Sequence, residues 1–332
     1  MSKKKRLRAC VDIGGTKILA AILDEDGKII ARHKAPTETG STTALIAQVQ
    51  DSIELALKIA SAKKSSLAGV ALGVPGVVRE GVILLTPNVP LGGLNLGDML
   101  GRKLGVPVVV ANDGSMGTLG EVALGAARNS RSCYGFFVGT GIGGGLVLDG
   151  QLVEGARGLS GEVGHLLAPM WNGADAHDIG DLILNRHLGL SALCSREAIE
   201  KYLRRAIIQE GRASALSQIV RDPTLERIRA GALKKAMRQG DELVADVLRR
   251  CSYLLGLAAA SVSNIVDPDV IVFGGGVIQA CGEWMLPDIR AVAHRTALSG
   301  NWPNVEIAQS TLGDDAILIG GWKMLSGRLK SG

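Results

Sequence analysis

The stretch 136–148, FFVGTGIGGGLVL, interrupts an apolar, strand-like pattern with five glycines and one threonine. Because glycine has no Cβ atom, a turn through Gly139, Thr140, Gly141 and the glycines at 143–145 can take positive φ angles and bring bare backbone amides close to a ligand. Successive N–H groups that point into one concavity bind anions such as phosphate. Glycine-rich turns also close ordinary hairpins, so this stretch alone leaves both interpretations open.

The stretch 10–22, CVDIGGTKILAAI, has the same layout of apolar strand, glycine turn with a threonine, and apolar strand. Around it the periodicity predicts strands at 7–12, 18–23, 28–33, 67–74 and 106–110 and helices at 42–60 and 98–104. The second half predicts strands at 134–138, 145–149, 151–154, 270–273 and 305–308, a long helical insertion that includes 241–262, and a final helix from 314. Two α/β halves that each open with such a hairpin predict a phosphate chain held between two lobes.

Composition supports a globular protein of two lobes. The chain has 332 residues, of which 46% are hydrophobic and 21% charged, and its 45 glycines exceed average usage. The net charge of +5 resides in a short basic arm at 3–8, so the body is near neutral and gives no sign of nucleic-acid binding. No apolar run is long enough to span a membrane or to form a signal peptide. The five scattered cysteines predict buried free thiols and a cytoplasmic location.

Several further motifs stand in a fixed order along the chain. These are 12–17 (DIGGTK), 73–76 (GVPG), 112–113 (ND), 139–145 (GTGIGGG), 162–165 (EVGH) and 274–276 (GGG). Together they resemble the ordered signature of the ROK family of repressors, uncharacterised reading frames and sugar kinases, within the sugar kinase, actin and Hsp70 superfamily. The resemblance covers nearly the whole chain. It implies a glucokinase-like enzyme with two ribonuclease H-like (actin-like ATPase) lobes and a nucleotide and sugar cleft between them.

The resemblance assigns roles on the acceptor side of the reaction. Phosphoryl transfer to a sugar hydroxyl needs a base for the hydroxyl proton, and Asp113 takes that role because it follows a buried strand at its carboxyl end. An aspartate that caps a helix beginning near Gly114 is the alternative. The residues expected around the sugar are Gly76, Asn88, Asn112, Asp113, Glu162 and His165. Both asparagines would also suit ordinary turns.

The donor side is expected at three glycine turns. Gly14, Gly15, Thr16 and Lys17 would face the β and γ phosphates of ATP, although Lys17 could equally be a solvated strand-end charge. The remaining donor residues expected from the resemblance are Gly139, Thr140 and Gly141 at the second phosphate loop and Gly274, Gly275 and Gly276 on the adenosine side. A carboxylate beside phosphates requires a cation between them, so Asp12 predicts Mg²⁺, bound through water or phosphate.

The sequence departs from the family pattern after His165, which in most relatives is a structural zinc ligand. The family has a CxCGxxGCxE segment there, whereas 168–184 reads APMWNGADAHDIGDLIL without cysteine. The position of the family's second sugar-binding glutamate is near Ile183. His177, Asp178 and Asp181 could supply a substitute ligand, but the segment also suits a solvated loop. We therefore expect no structural zinc, and looser discrimination at the anomeric end of the sugar.

These observations predict ATP-dependent phosphorylation of the primary hydroxyl of a hexose, most readily glucose. Another sugar, such as fructose or an N-acetyl-hexosamine, or polyphosphate as donor, would fit the same residues. A sugar sensor without turnover is the alternative of a different class. A DNA-binding repressor is disfavoured because only eleven residues precede Asp12. We expect a smaller lobe at 1–115 completed by 314–332, a larger lobe at 116–313, and a homodimer, since apolar helices such as 241–262 exceed what one lobe needs.

Overall fold

The computed structural model describes residues 6–87, 89–167, 189–298 and 304–331. The chain divides into two compact units. Unit 1 comprises Met1–Arg131, Gly145–Gly161 and Thr311–Gly332, and unit 2 comprises Ser132–Gly144 and Glu162–Ser310.

Two five-stranded sheets have the same strand order. If the strands of each sheet are numbered in chain order, they lie side by side as third, second, first, fourth and fifth. The first sheet runs β3-β2-β1-β4-β8 and the second runs β11-β10-β9-β12-β13, while a small third sheet contains β5, β6 and β7. The strands are β1 (Leu7–Ile13), β2 (Lys17–Leu23), β3 (Ile29–Pro36), β4 (Leu67–Val74), β5 (Val77–Arg79), β6 (Val82–Leu85), β7 (Leu94–Asn95), β8 (Val108–Asn112), β9 (Cys133–Val138), β10 (Ile142–Leu148), β11 (Gln151–Leu152), β12 (Val270–Gly274) and β13 (Glu306–Gln309). The α/β fold class is therefore confirmed.

Ten α-helices lie within the described ranges. They are α1 (Thr42–Ile59), α2 (Leu96–Leu104), α3 (Asp113–Leu124), α4 (Leu190–Cys194), α5 (Arg196–Arg204), α6 (Leu216–Ile219), α7 (Ala230–Arg238), α8 (Glu242–Val266), α9 (Gly275–Thr296) and α10 (Ala316–Ser331). The predicted helix at 42–60 is confirmed, with Ser41 as its N-cap. The predicted helix at 241–262 is also found, and it extends to Val266, where Asp267 ends it in a left-handed conformation.

The sheet of unit 1 separates two apolar layers, and the strand period of two decides which side chain enters which layer. Ala9, Val11 and Ile13 of β1 join one core cluster, to which α1 and α2 contribute. Cys10 points to the opposite face, where it joins residues of α3 and α10. Because alternate residues of a strand share a face, Asp12 lies on the same side as Cys10.

Strand register aligns the carboxyl ends of three strands of this sheet. β1 and β4 are parallel with Asp12 opposite Gly73, and β4 and β8 are parallel with Gly73 opposite Ala111. β8 was predicted at 106–110 but runs from Val108 to Asn112. Its last residue is therefore Asn112, and α3 begins directly at Asp113 rather than near Gly114.

Unit 2 is built mainly from helices added to its sheet. β12 is parallel to β9, and the rings of Phe136 and Phe273 from these two strands stack with centroids 4.7 Å apart. The apolar residues of α8 that suggested a partner chain are largely buried within the unit, among them Leu243, Val247 and Leu255. The apolar content of α8 therefore no longer supports a dimer by itself.

Candidate active site

Two carboxylates meet at the carboxyl edge of the sheet in unit 1. Asp12 is in the penultimate position of β1 and only 8% exposed, and half-buried Asp113 is the first residue of α3. Burial, followed by the negative charges of Asp113 and Asp314, raises the pKa of Asp12 to about 7, and the charge of Lys17 opposes this rise. A buried carboxylate whose charge is disfavoured by two others is suited to a bound cation.

Asn112 links the helix that bears Asp113 to the turn at Gly76. Its Oδ1 accepts a hydrogen bond from the amide of Ser115 at 2.9 Å, which caps α3, and its Nδ2 donates to the carbonyl of Gly76 at 2.9 Å. Gly76 has φ +113°, and a Cβ atom there would lie 2.0 Å from the carbonyl oxygen of Leu85. Only glycine fits this position, and the Asn112 amide fixes it beside Asp113.

Hydrogen bonds with the start of β2 and with the residue that follows β3 hold the first glycine turn, which joins β1 to β2. The Gly14 amide donates to the Lys17 carbonyl at 3.0 Å, and the Thr37 amide donates to the carbonyl of Thr16 at 3.1 Å. The hydroxyl of Thr37 also donates to the Gly14 carbonyl at 2.6 Å. Sequence analysis did not identify Thr37, because no local motif marks it. Because the Thr37 hydroxyl is hydrogen-bonded to the Gly14 carbonyl, it stabilises one conformation of the proposed phosphate loop.

The turn before α10 binds two basic side chains of the β2–β3 hairpin. Lys17 Nζ lies 2.5 Å from Asp314 Oδ2, and Arg32 binds Asp315 through Nε at 3.2 Å and Nη2 at 2.6 Å. Asp314 was not among the predicted site residues. Its negative charge adjoins Asp12 and Lys17, so three acidic side chains and one lysine share this corner of unit 1.

The second glycine turn, between β9 and β10, does not use the left-handed backbone that glycine permits. None of Gly139, Gly141 and the glycines at 143–145 has a positive φ, and the same holds for Gly14 and Gly15. The expectation of bare amides is wrong in part, because the Gly139 amide donates to the carbonyl of Gly141 at 2.8 Å. The Ile142 amide donates to Ser191 Oγ at 3.0 Å. A Cβ atom at Gly141 would lie 3.3 Å from Ser191 Oγ, so this position is tight, whereas Gly143 has no atom within 4 Å of such a Cβ.

Glu162 and His165 bracket one short helical turn of unit 2, Val163–His165. Glu162 is half-buried and His165 is exposed. Burial raises the pKa of Glu162, and the charge of His165 opposes this rise. Burial and then the negative charge of Glu162 raise the pKa of Tyr134 to about 12, so a tyrosine of β9 adjoins this carboxylate. Tyr134 was not predicted as a site residue.

The glycine turn 274–276 joins β12 to α9. Gly275 has φ +84°, and a Cβ atom there would lie 2.5 Å from the carbonyl oxygen of Val138 at the end of β9. Gly276 has no atom within 4 Å of the position of such a Cβ. The backbone packing therefore requires glycine at 275, while Gly276 leaves open space at the start of the helix.

A family model for the ROK family matches residues 8–327 of this chain. The chain belongs to the ROK family. The ROK assignment made from the ordered motifs is thus confirmed. A glucokinase of Halalkalibacterium halodurans is 30% identical over 94% of this chain and 92% of its own length. The kinase names of such ROK relatives bear out the predicted enzyme class, a sugar kinase.

Solved ROK structures share the fold over almost the whole chain. A ROK family glucokinase from Streptomyces griseus in complex with glucose and AMPPNP has a TM-score of 0.79 at 28% identity, covering 96% of this chain and 98% of its own. A ROK family transcriptional regulator, a homolog of the E. coli MLC protein, has a TM-score of 0.81 at 25% identity, covering 97% of this chain and 78% of its own. The fold is thus common to ROK kinases and ROK regulators.

Two predicted features of this ROK chain lie outside the described residues, namely Asn88 and the cysteine-free segment 168–184 with its possible ligands His177, Asp178 and Asp181. Among the residues that are described, no group of three or more His, Cys, Asp or Glu side chains is arranged to hold a metal ion. No helix in those ranges combines the length and apolar character required to cross a membrane.

Proposed function

We propose that this ROK protein transfers the γ-phosphoryl group of ATP to the primary hydroxyl of a hexose, most readily glucose, with Asp113 as general base. The observation that carries the proposal is the position of Asp113 at the start of α3, at the carboxyl edge of the sheet and beside Asp12. Ligands bind at this edge in open α/β sheets. The glucokinase relatives support both the reaction class and the choice of glucose.

Asp113 is suited to accept the hydroxyl proton. Its Oδ1 accepts a hydrogen bond from the amide of Gly114 at 2.8 Å, which holds the carboxylate in one orientation. As the hydroxyl oxygen attacks the γ-phosphorus, its proton passes to Asp113 and the bond to ADP breaks. Asn112 holds the Gly76 turn next to this carboxylate and retains one amide hydrogen and one lone pair for sugar hydroxyls.

The remaining acceptor residues of the proposal are Asn88, Glu162 and His165. Half-buried Glu162 offers a carboxylate that accepts hydrogen bonds from vicinal hydroxyl groups of the sugar. Exposed His165 offers an imidazole that can donate to such a hydroxyl. On the donor side, the turn of Gly14, Gly15 and Thr16 binds the terminal phosphates together with Lys17. The turns 139–141 and 274–276 bind the rest of the nucleotide, and the open space at Gly276 suits a close ligand.

Asp12 fits a magnesium ion. Its carboxylate is buried and lies near two further acids, so a divalent cation relieves the repulsion that raises its pKa. When bound with ATP, magnesium neutralises negative charge on the phosphates. Mg²⁺ commonly uses one or two carboxylates and several waters, so a single aspartate suffices as the protein's contribution. Structural zinc is not expected.

A coupled assay of ADP release over a panel of hexoses and amino-hexoses tests the proposed reaction. We expect turnover with glucose and ATP, and a parallel series with polyphosphate compares the two donors. Measured sugar binding without release of ADP for any sugar would contradict the kinase proposal. That result would favour the sugar sensor, a function compatible with the equally close fold of the ROK regulator.

The cysteines indicate the cellular location of the protein. All five cysteines are buried free thiols, which suits the reducing cytoplasm.

We propose a homodimer formed through unit 2, where Ile265 at the end of α8 and Leu298 after α9 are 81% and 92% exposed. Light scattering that reports a monomer at assay concentration would contradict the dimer.

A further inference from the structure

Arg196 is attached to the second glycine turn through its backbone. Its amide donates to the carbonyl of Gly139 at 2.9 Å, and the amide of Glu197 donates to the carbonyl of Thr140 at 3.4 Å. Ser195 Oγ accepts from the amide of Ala198 at 3.2 Å. The first amides of α5 are therefore satisfied within the protein, and these N–H groups are not available to a ligand.

The guanidinium of Arg196 is held in one place by two side chains. Nη1 lies 3.0 Å from Glu200 Oε2, and Nη2 donates to Thr140 Oγ1 at 3.2 Å. Glu200 is only 14% exposed, and its Oε2 also accepts from the amide of Ile228 at 3.1 Å, so the carboxylate is itself fixed. Of the five N–H donors of arginine, two are used in this way. Within the described ranges the other three have no protein acceptor.

The position of this cation is unfavourable for the helix alone. A helix N-terminus carries a partial positive charge, so a positive side chain in its first turn opposes the macrodipole. Glu197 in the same turn and the i,i+4 pair with Glu200 offset part of this repulsion. A bound anion next to Thr140 would remove the conflict. A planar fork with unused donors is the group that recognises phosphate oxygens.

We propose that Arg196 binds the phosphate chain of the donor at the second glycine turn. The inference rests on the proposed kinase function and adds a residue that no motif of the chain indicates. In the bound state Glu200 and Thr140 keep the guanidinium oriented, and its remaining N–H groups donate to non-bridging phosphate oxygens. The shared ligand chemistry is a chain of phosphates, whether of ATP or of inorganic polyphosphate.

Arg196→Gln tests the proposal in the full-length protein. We expect the KM for ATP to rise about 10-fold or more, since a charge-assisted hydrogen bond is lost. Glucose KM stays within about 2-fold, and kcat falls less than the KM rises, because the contact stabilises bound donor rather than the transition state alone. Calorimetry should show the same weakening for ADP without sugar. Assays with ATP and with polyphosphate separate the two donors.

Three variants serve as controls. Arg196→Lys retains the charge but not the planar fork, so its ATP KM should lie between those of the wild type and Arg196→Gln. Arg204→Gln removes a cation about 12 Å further along α5 and should leave the KM unchanged. Glu200→Gln removes the support but not the cation. It should therefore lower the melting temperature and raise the ATP KM less than Arg196→Gln does.

The outcomes separate the two hypotheses. A wild-type protein without kinase activity would contradict the proposed function. An active wild type in which Arg196→Gln leaves the ATP KM and the ADP affinity unchanged would overturn the role of Arg196. If Arg196→Gln does not fold, the proposal is overturned by a Glu200→Gln variant that folds and loses ADP affinity about 10-fold or more although it keeps the cation, because the role would then be structural.

Discussion

Asp12→Asn should make the protein more stable and less active. The buried carboxylate has a pKa raised from 3.8 to about 7, whereas the unfolded chain retains the ordinary value. Between these two values the folded state binds one proton more than the unfolded state, so the free energy of unfolding falls as pH rises through this window. Above it Asp12 is ionised in both states and its contribution no longer changes.

The magnitude follows from the width of that window. One pKa unit corresponds to about 1.4 kcal/mol, so ionised Asp12 lowers the free energy of unfolding by as much as about 4 kcal/mol above pH 7. From about pH 5.5 to about pH 8 the wild type should lose about 2 kcal/mol relative to Asp12→Asn, because only the part of the window above pH 5.5 contributes. The side chain at this position in Asp12→Asn carries no charge, so the free energy of unfolding of the variant does not fall with pH for this reason.

Urea denaturation in EDTA and without nucleotide measures the effect at both pH values. Asp51→Asn, which changes an exposed carboxylate of α1, is the matched control and should follow the wild type. Parallel pH dependences for wild type and Asp12→Asn would refute the argument. Kinase turnover of the stabilised variant should fall and respond less to magnesium, because the side chain that we propose for the cation has lost its charge.

Four further predictions concern the proposed base, the proposed adenosine-side turn and zinc. Asp113→Asn should lower kcat about 100-fold or more while glucose binding, measured by calorimetry, stays near normal; near-normal turnover would remove Asp113 from its role. Gly275→Ala should lower the free energy of unfolding by about 2 kcal/mol or more, because alanine is strained at φ +84° and meets Val138. Gly276→Ala should keep its melting temperature but raise the KM for ATP, and a KM equal to wild type would contradict that contact. Elemental analysis should find no stoichiometric zinc in the purified protein, and tightly bound zinc would show that other ligands replace the missing cysteines.

The periodic parts of the fold were predictable from sequence. β4 was predicted at its observed bounds because it is a continuous apolar run. α1 was predicted within one residue because its apolar residues follow the helical period and Ser41 caps its start. α9 was not predicted, since Gly275 and Gly276 begin it and Pro287 lies inside it. Both residue types disfavour helix, and only packing on the sheet and on α8 outweighs their local preference. The strands of the small third sheet have four residues or fewer, which is too short to show a period.

The candidate site divides in the same way. Asp12, Asn112 and Asp113 could be placed because each lies at the carboxyl end of a buried strand. The partner of Lys17 is Asp314, which is 297 residues away in sequence, and the partner of Gly14 is Thr37, 23 residues away. Such contacts depend on tertiary packing, and no local pattern marks them. The φ angles of the glycine turns could not be decided from the sequence either, since glycine permits a left-handed backbone but does not require it.

The two glycine turns show how a repeated backbone can acquire different charges. Each turn has three residues, between β1 and β2 in unit 1 and between β9 and β10 in unit 2. Alignment on the strand ends pairs Asp12 with Phe137 and Lys17 with Ile142, so both charged positions of the first turn are apolar in the second. In unit 2 the cation beside the turn is Arg196, from a helix outside the repeated hairpin. The hairpin therefore supplies the geometry of a phosphate loop, and the charges that would make it selective come from different parts of the chain in each half.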